Sequence, residues 1–130
     1  MSILVSYIPT AEGWAALQVA IGEATIRGTP VVIVNVAIRS NFADVTFADE
    51  KDLDGVRNRL ASDGIACEIV QVLDATDVAE AVLQEAAARE TELIVVGLRR
   101  RSPVGKALLG SNAQKIIVAA ACPVLSVRPD

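Results

Sequence analysis

The stretch that decides the fold runs Glu92-Leu-Ile-Val-Val96, Gly97-Leu-Arg-Arg-Arg-Ser-Pro-Val-Gly-Lys106, Ala107-Leu-Leu-Gly-Ser-Asn112 and, after a helical segment, Cys122-Pro-Val-Leu-Ser-Val127. Physically this is a buried strand, a glycine-punctuated loop with four cations, a helix opening on Gly-Ser-Asn and a second buried strand. A glycine directly after a strand permits backbone geometry that other residues resist. A helix N-terminus behind a cationic loop is where anions, phosphates especially, settle. Phosphate binding is the first functional expectation.

Upstream, the same alternation repeats. Ser2–Tyr7 reads as a strand, with Thr10 placed to cap the helix that follows; Thr10-Ala-Glu-Gly13 is a partial capping signal, since position 13 is not Glu or Gln. Apolar residues at 14, 17, 20, 21 and 24 form a helical stripe over Trp14–Arg27, ended by Gly28. Val31–Ile38 is an aliphatic run broken only by Asn35, as expected of a strand covered on both faces. Residues 39–48 read as a loop. Asp49–Ser62 reads as a helix with Leu53, Val56, Leu60 and Ala61 inward, and Ala66–Leu73 as a strand. A helix from Thr76 or Asp77 to about Glu90, a strand at Leu93–Val96, a helix over roughly Ser111–Ala121 and a strand at Pro123–Val127 complete the pattern.

This β-α-β-α-β-α-β-α-β order predicts an α/β fold in a single domain over residues 1–130. It should hold one five-stranded, mostly parallel sheet with four helices on both faces, flavodoxin- or Rossmann-like. Ligands on such sheets bind beyond the carboxyl ends of the strands, where strand order reverses. Here that crevice falls between the first and fourth strands, walled by Tyr7-Ile8-Pro9-Thr10 and by Gly97 onward.

Composition narrows the classes. Of the chain, 52% is hydrophobic, almost all of it Ala, Val, Ile and Leu, which suits helices packed closely on a sheet. No apolar run approaches the roughly 20 residues of a membrane helix, and no leader pattern follows Met1, so no membrane partner and a cytoplasmic location are expected. Cys67 and Cys122 read as small hydrophobes in or beside strands. The absence of histidine removes Ser-His-Asp and Cys-His chemistry and most zinc sites. The net charge of −4 argues against nucleic acid as a partner. Against that acidic background Arg99, Arg100, Arg101 and Lys106 form a local excess, which suits one specific anion. Arginine makes forked contacts with phosphate, although a solvated loop explains the run as well. Ser102-Pro-Val-Gly105 suggests a loop able to close over a ligand.

Familiar nucleotide motifs fail. Gly105-Lys106 lacks the first glycine and the hydroxyl of a Walker A loop, and no Gly-x-Gly-x-x-Gly follows the first strand. The acids at Asp49-Glu50 and Asp52–Asp54 read as a solvated helix start that complements the macrodipole, with no metal expected.

The segment 97–127 resembles the universal stress protein family, whose fingerprint is Gly-x2-Gly-x9-Gly-Ser/Thr after the fourth strand. Gly97, Gly110 and Ser111 fall at the matching spacing, flanked by Ile94-Val-Val-Gly97, Leu108-Leu-Gly-Ser111 and Cys122-Pro-Val-Leu125. The resemblance extends the fold to that of the adenine nucleotide α-hydrolases. It implies a stress-response regulator binding an adenine nucleotide, ATP with Mg2+ first and AMP or cyclic AMP as alternatives. Gly97 would let ribose and phosphates approach the backbone, and the Ser111 and Asn112 amides would receive phosphate oxygens. The Ser111 hydroxyl would donate to a phosphate, or act only as a helix cap with Gln114 in a Ser-x-x-Gln box. Val36 matches an adenine-lining position, or is simply core. Two positions depart from the family. Arg100 replaces the second glycine, where with Arg99 it either crowds the phosphate path or clamps an anion. Ile8 replaces the acid that holds adenine or ribose, and is followed by Pro9 and Thr10 in place of Gly and Ser. An interaction module that has lost ATP therefore stays open as the alternative. Slow ATP hydrolysis is compatible with the chemistry, but no side chain stands out as its base. The resemblance also implies a homodimer in which strands 123–127 meet across a two-fold axis.

Overall fold

In the computed structural model the described residues are 1–38, 47–99 and 109–129. Five strands, β1 (Ser2–Ser6), β2 (Val31–Ile38), β3 (Cys67–Ala75), β4 (Thr91–Gly97) and β5 (Val124–Val127), alternate with four helices. These are α1 (Ala11–Arg27), α2 (Glu50–Ser62), α3 (Val78–Ala88) and α4 (Ser111–Ala119). All strand pairs are parallel, in the order β3-β2-β1-β4-β5, so the reversal falls between β1 and β4 as the alternation requires.

The central strands are continuous aliphatic runs because both their faces are covered. On one face Ile3, Val5, Ile33 and Val95 pack against Ala16, Leu17 and Ala20 of α1 and Leu53, Val56 and Leu60 of α2. On the other, Leu4, Val34, Ile94 and Val96 meet Ala79 and Val82 of α3 and Ala113 and Ile116 of α4. Alanines on the buried faces of α1, α3 and α4 let the helix axes come close to the sheet.

Caps fix where the helices begin and end. Thr10 Oγ1 accepts the Gly13 N–H at 3.3 Å, so α1 begins at Ala11, three residues before the apolar stripe suggests. Gly28 ends it in the left-handed region, φ 67, its N–H on the Ala24 carbonyl at 2.8 Å. Asp49 and Asp52 make a reciprocal capping box on α2, so the acids there serve the helix start. Trp14, read as part of the buried stripe, is 40% exposed, with Gly13 and Ala16 buried instead. Ala61 is likewise exposed rather than inward. At the β3 edge the register slips between Val36 and Ile38, where Asp74 takes φ 63. Cys67 opens that edge strand and is exposed, unlike the buried hydrophobe its sequence context suggests, while Cys122 packs against the second core. Arg89 ties the end of α3 to β3 through Glu68 at 3.0 and 3.1 Å, and also bonds Glu85.

Candidate functional site

Among the described residues, cavities of similar size lie at different places on the surface, so chemistry rather than volume distinguishes them. One of about 410 Å3 lies at the amino ends of the strands around Pro30, Cys67 and Arg89. A groove of about 460 Å3 lies between α3 and α4. The third, about 400 Å3, sits over the carboxyl ends of β1 and β4 and opens onto the start of α4. All three volumes fall in the range of small-ligand clefts. The third is the one placed at the reversal of strand order.

Its walls come from four parts of the chain. β1 and the turn after it supply Ser6, Ile8 and Thr10, and the first turn of α1 supplies Glu12 and Gly13. β4 and its exit supply Val96, Gly97 and Arg99; α4 supplies Ser111, Asn112, Ala113 and Ile116, with Gly110 just before it and Val78 facing from α3. Seven of the residues singled out from sequence therefore converge: Ile8, Thr10, Gly97, Arg99, Gly110, Ser111 and Asn112. Pro9 is half-buried and does not line the cavity. Val36 is core, 6% exposed and packed with the α3–α4 side, away from the cleft wall. Arg100 lies outside the described residues, as do the rest of the arginine run and the 102–105 segment.

α4 begins at Ser111 as expected, but its cap differs from the sequence expectation. Gly110, not Ser111, is the N-cap (φ −67, ψ 160), and no side chain caps the helix. Ser111 is already the first helical residue, so its hydroxyl is not in the cap position. Gln114 reaches the Leu109 carbonyl at 3.5 Å instead of closing a box. The consequence is chemical: the amides opening α4 carry the positive end of the macrodipole, and among the described residues no side-chain oxygen caps them. Arg99 crosses this end, its Nε 3.4 Å from where a Cβ on Gly110 would stand. A guanidinium beside bare helix amides is an arrangement suited to a phosphate group.

Gly97 has a different reason for being glycine than ligand approach. A Cβ there would lie 2.3 Å from the Glu12 carbonyl oxygen, so the residue makes room for the first turn of α1. Gly13 is governed the same way, since a Cβ would fall 1.8 Å from the Ile8 carbonyl oxygen. The Ile8 carbonyl also accepts the Thr10 N–H at 2.8 Å, closing a tight turn. Glu12, Gly13 and Val78 were not anticipated as wall residues. The failed capping box ending on Gly13 was the available signal for the first two.

Deeper in, Tyr7 is 4% exposed, and burial, helped by Asp52, raises its phenol above the ordinary value, so it stays neutral. Among the described residues no cluster of His, Cys, Asp and Glu is placed to hold a metal ion. Nor is any helix among them long and apolar enough to cross a membrane.

Together the sheet order, the cleft at its reversal point and the uncapped α4 define a five-stranded α/β domain of the nucleotide-binding type. The model of the universal stress protein family matches residues 1–128, and the chain belongs to that family. It is 35% identical over 127 residues to a universal stress protein of Mycolicibacterium smegmatis, covering 98% of this chain and 97% of that protein. Two solved structures share the fold. The universal stress protein from Archaeoglobus fulgidus in complex with dAMP has a TM-score of 0.67 at 19% identity, over 97% of this chain and 95% of that one. A universal stress protein family protein from Arabidopsis thaliana with AMP bound has a TM-score of 0.69 at 15% identity, over 100% and 93%.

Proposed function

We propose that this chain is a stress-response regulator that binds an adenine nucleotide in the cleft between β1 and β4. ATP with Mg2+ is the first candidate, with AMP and cyclic AMP as alternatives. The observation that carries this reading is the uncapped start of α4 under Arg99, inside a cavity of about 400 Å3 at the switch point of the sheet. The dAMP and AMP in the two fold neighbours support it. In this reading the phosphates lie on the Ser111 and Asn112 amides, Arg99 closes over them, and Ile8 with Val78 forms the apolar wall. Two free thiols fit a reducing, cytoplasmic setting.

The test is calorimetric titration with ATP–Mg2+, AMP and cyclic AMP in the wild type, Arg99→Ala and Ser111→Ala. Removing one charge-assisted contact weakens binding by about ten- to a hundredfold, so Arg99→Ala should fall in that range. Ser111→Ala should change little, because the amide rather than the hydroxyl does the binding. Absence of heat with all three nucleotides would sink the reading.

A second reading has its own observation. Ile8 lines the cleft where the family carries an acid, and an isoleucine gives adenine or ribose no hydrogen bond. A chain that has lost the nucleotide would act as an interaction module through its dimer surface or cationic loop. We further propose a homodimer through β5, supported by its place at the edge of the sheet and by the exposure of Leu125 there.

A further inference from the structure

β2 is aliphatic from end to end except at Asn35, which is completely buried. An unmatched amide there would be costly, so what it bonds decides why it is present. Its Nδ2 donates to the Tyr7 carbonyl at 2.9 Å. Its Oδ1 accepts the Ala48 N–H at 2.9 Å and Gln71 Nε2 at 3.2 Å. Gln71 Nε2 also donates to the Ala48 carbonyl at 2.9 Å. The partners fix the amide's orientation, since the Tyr7 carbonyl requires a donor and the Ala48 amide an acceptor.

Both backbone groups of Tyr7 are thus engaged beyond the end of β1. Its N–H extends the ladder to the Val34 carbonyl at 2.9 Å, and its C=O ends on Asn35. The chain then turns at once into the cleft wall, with the Ile8 carbonyl bonded to the Thr10 N–H and pressed against Gly13. The same Asn35 oxygen holds Ala48, the residue just before the Asp49 cap of α2. A side-chain amide acts here as an extra peptide between the backbone at Tyr7 and the backbone at Ala48, with the Gln71 side chain bonded to both Asn35 and Ala48. An apolar residue of similar size could fill the space but would leave Tyr7 and Ala48 unpartnered.

We propose that Asn35, supported by Gln71, is the positioning residue of the ligand cleft. It sets the exit of β1, and with it the Ile8–Thr10 wall, without touching the ligand. The effect on affinity rests on the nucleotide reading above; the effect on the wall does not.

The experiment compares Gln71→Leu and Asn35→Leu with Val82→Ala, a truncation of a core residue that does not itself line the cleft and bonds neither Tyr7 nor Ala48. Amide hydrogen exchange by NMR is read in the ligand-free protein at Thr10 and Gly13, whose N–H groups bond the Ile8 carbonyl and Thr10 Oγ1. At denaturant concentrations matching global stability, exchange at these two amides should rise about tenfold in Gln71→Leu and stay at the reference level in Val82→Ala. Affinity for ATP–Mg2+ should fall by a similar factor in Gln71→Leu alone. Unchanged exchange at Thr10 and Gly13, or equal changes in Val82→Ala, would overturn the proposal. Raised exchange in a protein that shows no heat with ATP, AMP or cyclic AMP would uphold Asn35 as the positioning residue and fail only the nucleotide reading. If Asn35→Leu does not fold, Gln71→Leu carries the test, since it removes one of the bonds that hold the Asn35 amide in its orientation without taking away the donor to the Tyr7 carbonyl.

Discussion

Replacing Gly97 with alanine separates two roles that one glycine can play. The added Cβ would stand 2.3 Å from the Glu12 carbonyl oxygen, 2.7 Å from its carbon and 3.1 Å from the Glu12 Cβ, where real Cβ contacts stay above 3.0 Å. The first two of these atoms are helix backbone and cannot rotate aside, so α1 must lift from the end of β4 or the strand must move. Overpacking of this kind costs about 1–3 kcal/mol, and with backbone on both sides we expect the upper half. For a domain of this size that corresponds to a fall of roughly 10 °C in Tm. Gly13→Ala should be worse, since its Cβ would meet the Ile8 carbonyl oxygen at 1.8 Å. Gly110→Ala is the control. Its φ of −67 suits alanine, and the nearest atom is Arg99 Nε at 3.4 Å, the end of a flexible side chain. Alanine is a poorer N-cap than glycine, so that change should cost about 0.5–1 kcal/mol, less than either of the other two. Urea unfolding followed by far-UV circular dichroism ranks the three variants. A Gly97→Ala protein as stable as wild type, yet weaker for nucleotide, would refute the packing account and return Gly97 to the ligand.

In the homodimer proposed through β5, Leu125→Lys places a charge on the strand edge and should give monomers on gel filtration where the wild type gives dimers; unchanged dimers would remove β5 as the interface. Acid should weaken the fold in a defined window. Backbone amides at the α2 cap hold Asp49 below its ordinary 3.8, and Arg89 holds Glu68 below its ordinary 4.5. A lowered carboxylate stabilises above its unfolded pKa, and that contribution is lost as pH falls through the folded value. Urea midpoints should therefore be flat from pH 7 to about 5 and fall below about 4. The fall should be shallower in Asp49→Ala, and a parallel acid limb in that variant would contradict the capping role.

Much of the fold was legible because the strongest sequence signals are those that folding uses most. Aliphatic runs at 31–38 and 93–96 could only be strands covered on both faces, and their alternation with helical stripes left one connectivity rule to apply. The place of the cleft followed from that connectivity. What the sequence concealed were distances between segments far apart in the chain. Nothing local shows that Gly97 must clear Glu12, or that Gly13 must clear Ile8. The start of α4 at Ser111 was read correctly, but its cap was not, for a related reason. Ser111 and Gln114 have the right spacing for a box, but Gly110 takes the extended cap conformation and leaves Ser111 as the first helical residue. Asn35 was visible as the break in an aliphatic run, but its partners at Tyr7, Ala48 and Gln71 belong to three other segments.

Different parts of the cleft wall are built from different chemistry, and under the proposed reading this sets what the site can discriminate. Phosphates would meet the helix amides of α4 and the Arg99 guanidinium, groups that read charge and are indifferent to the base. Elsewhere in the wall Ile8 and Val78 present hydrocarbon, and Thr10 Oγ1 is already engaged in capping α1. A base or ribose held against Ile8 gains apolar burial without the charge-assisted hydrogen bond that an acid at position 8 would give, a contact that elsewhere contributes about 1.5–3 kcal/mol. Binding should therefore follow phosphate content. Adenosine should give no measurable heat where AMP and ATP do, and exchanging adenine for guanine should alter affinity less than about threefold. Ile8→Asp returns a carboxylate to the wall and should favour adenine nucleotides over guanine ones by roughly ten- to a hundredfold. A wild-type preference for adenine already above tenfold would mean that groups other than Ile8 and Val78 read the base, and this division of the cleft would fail.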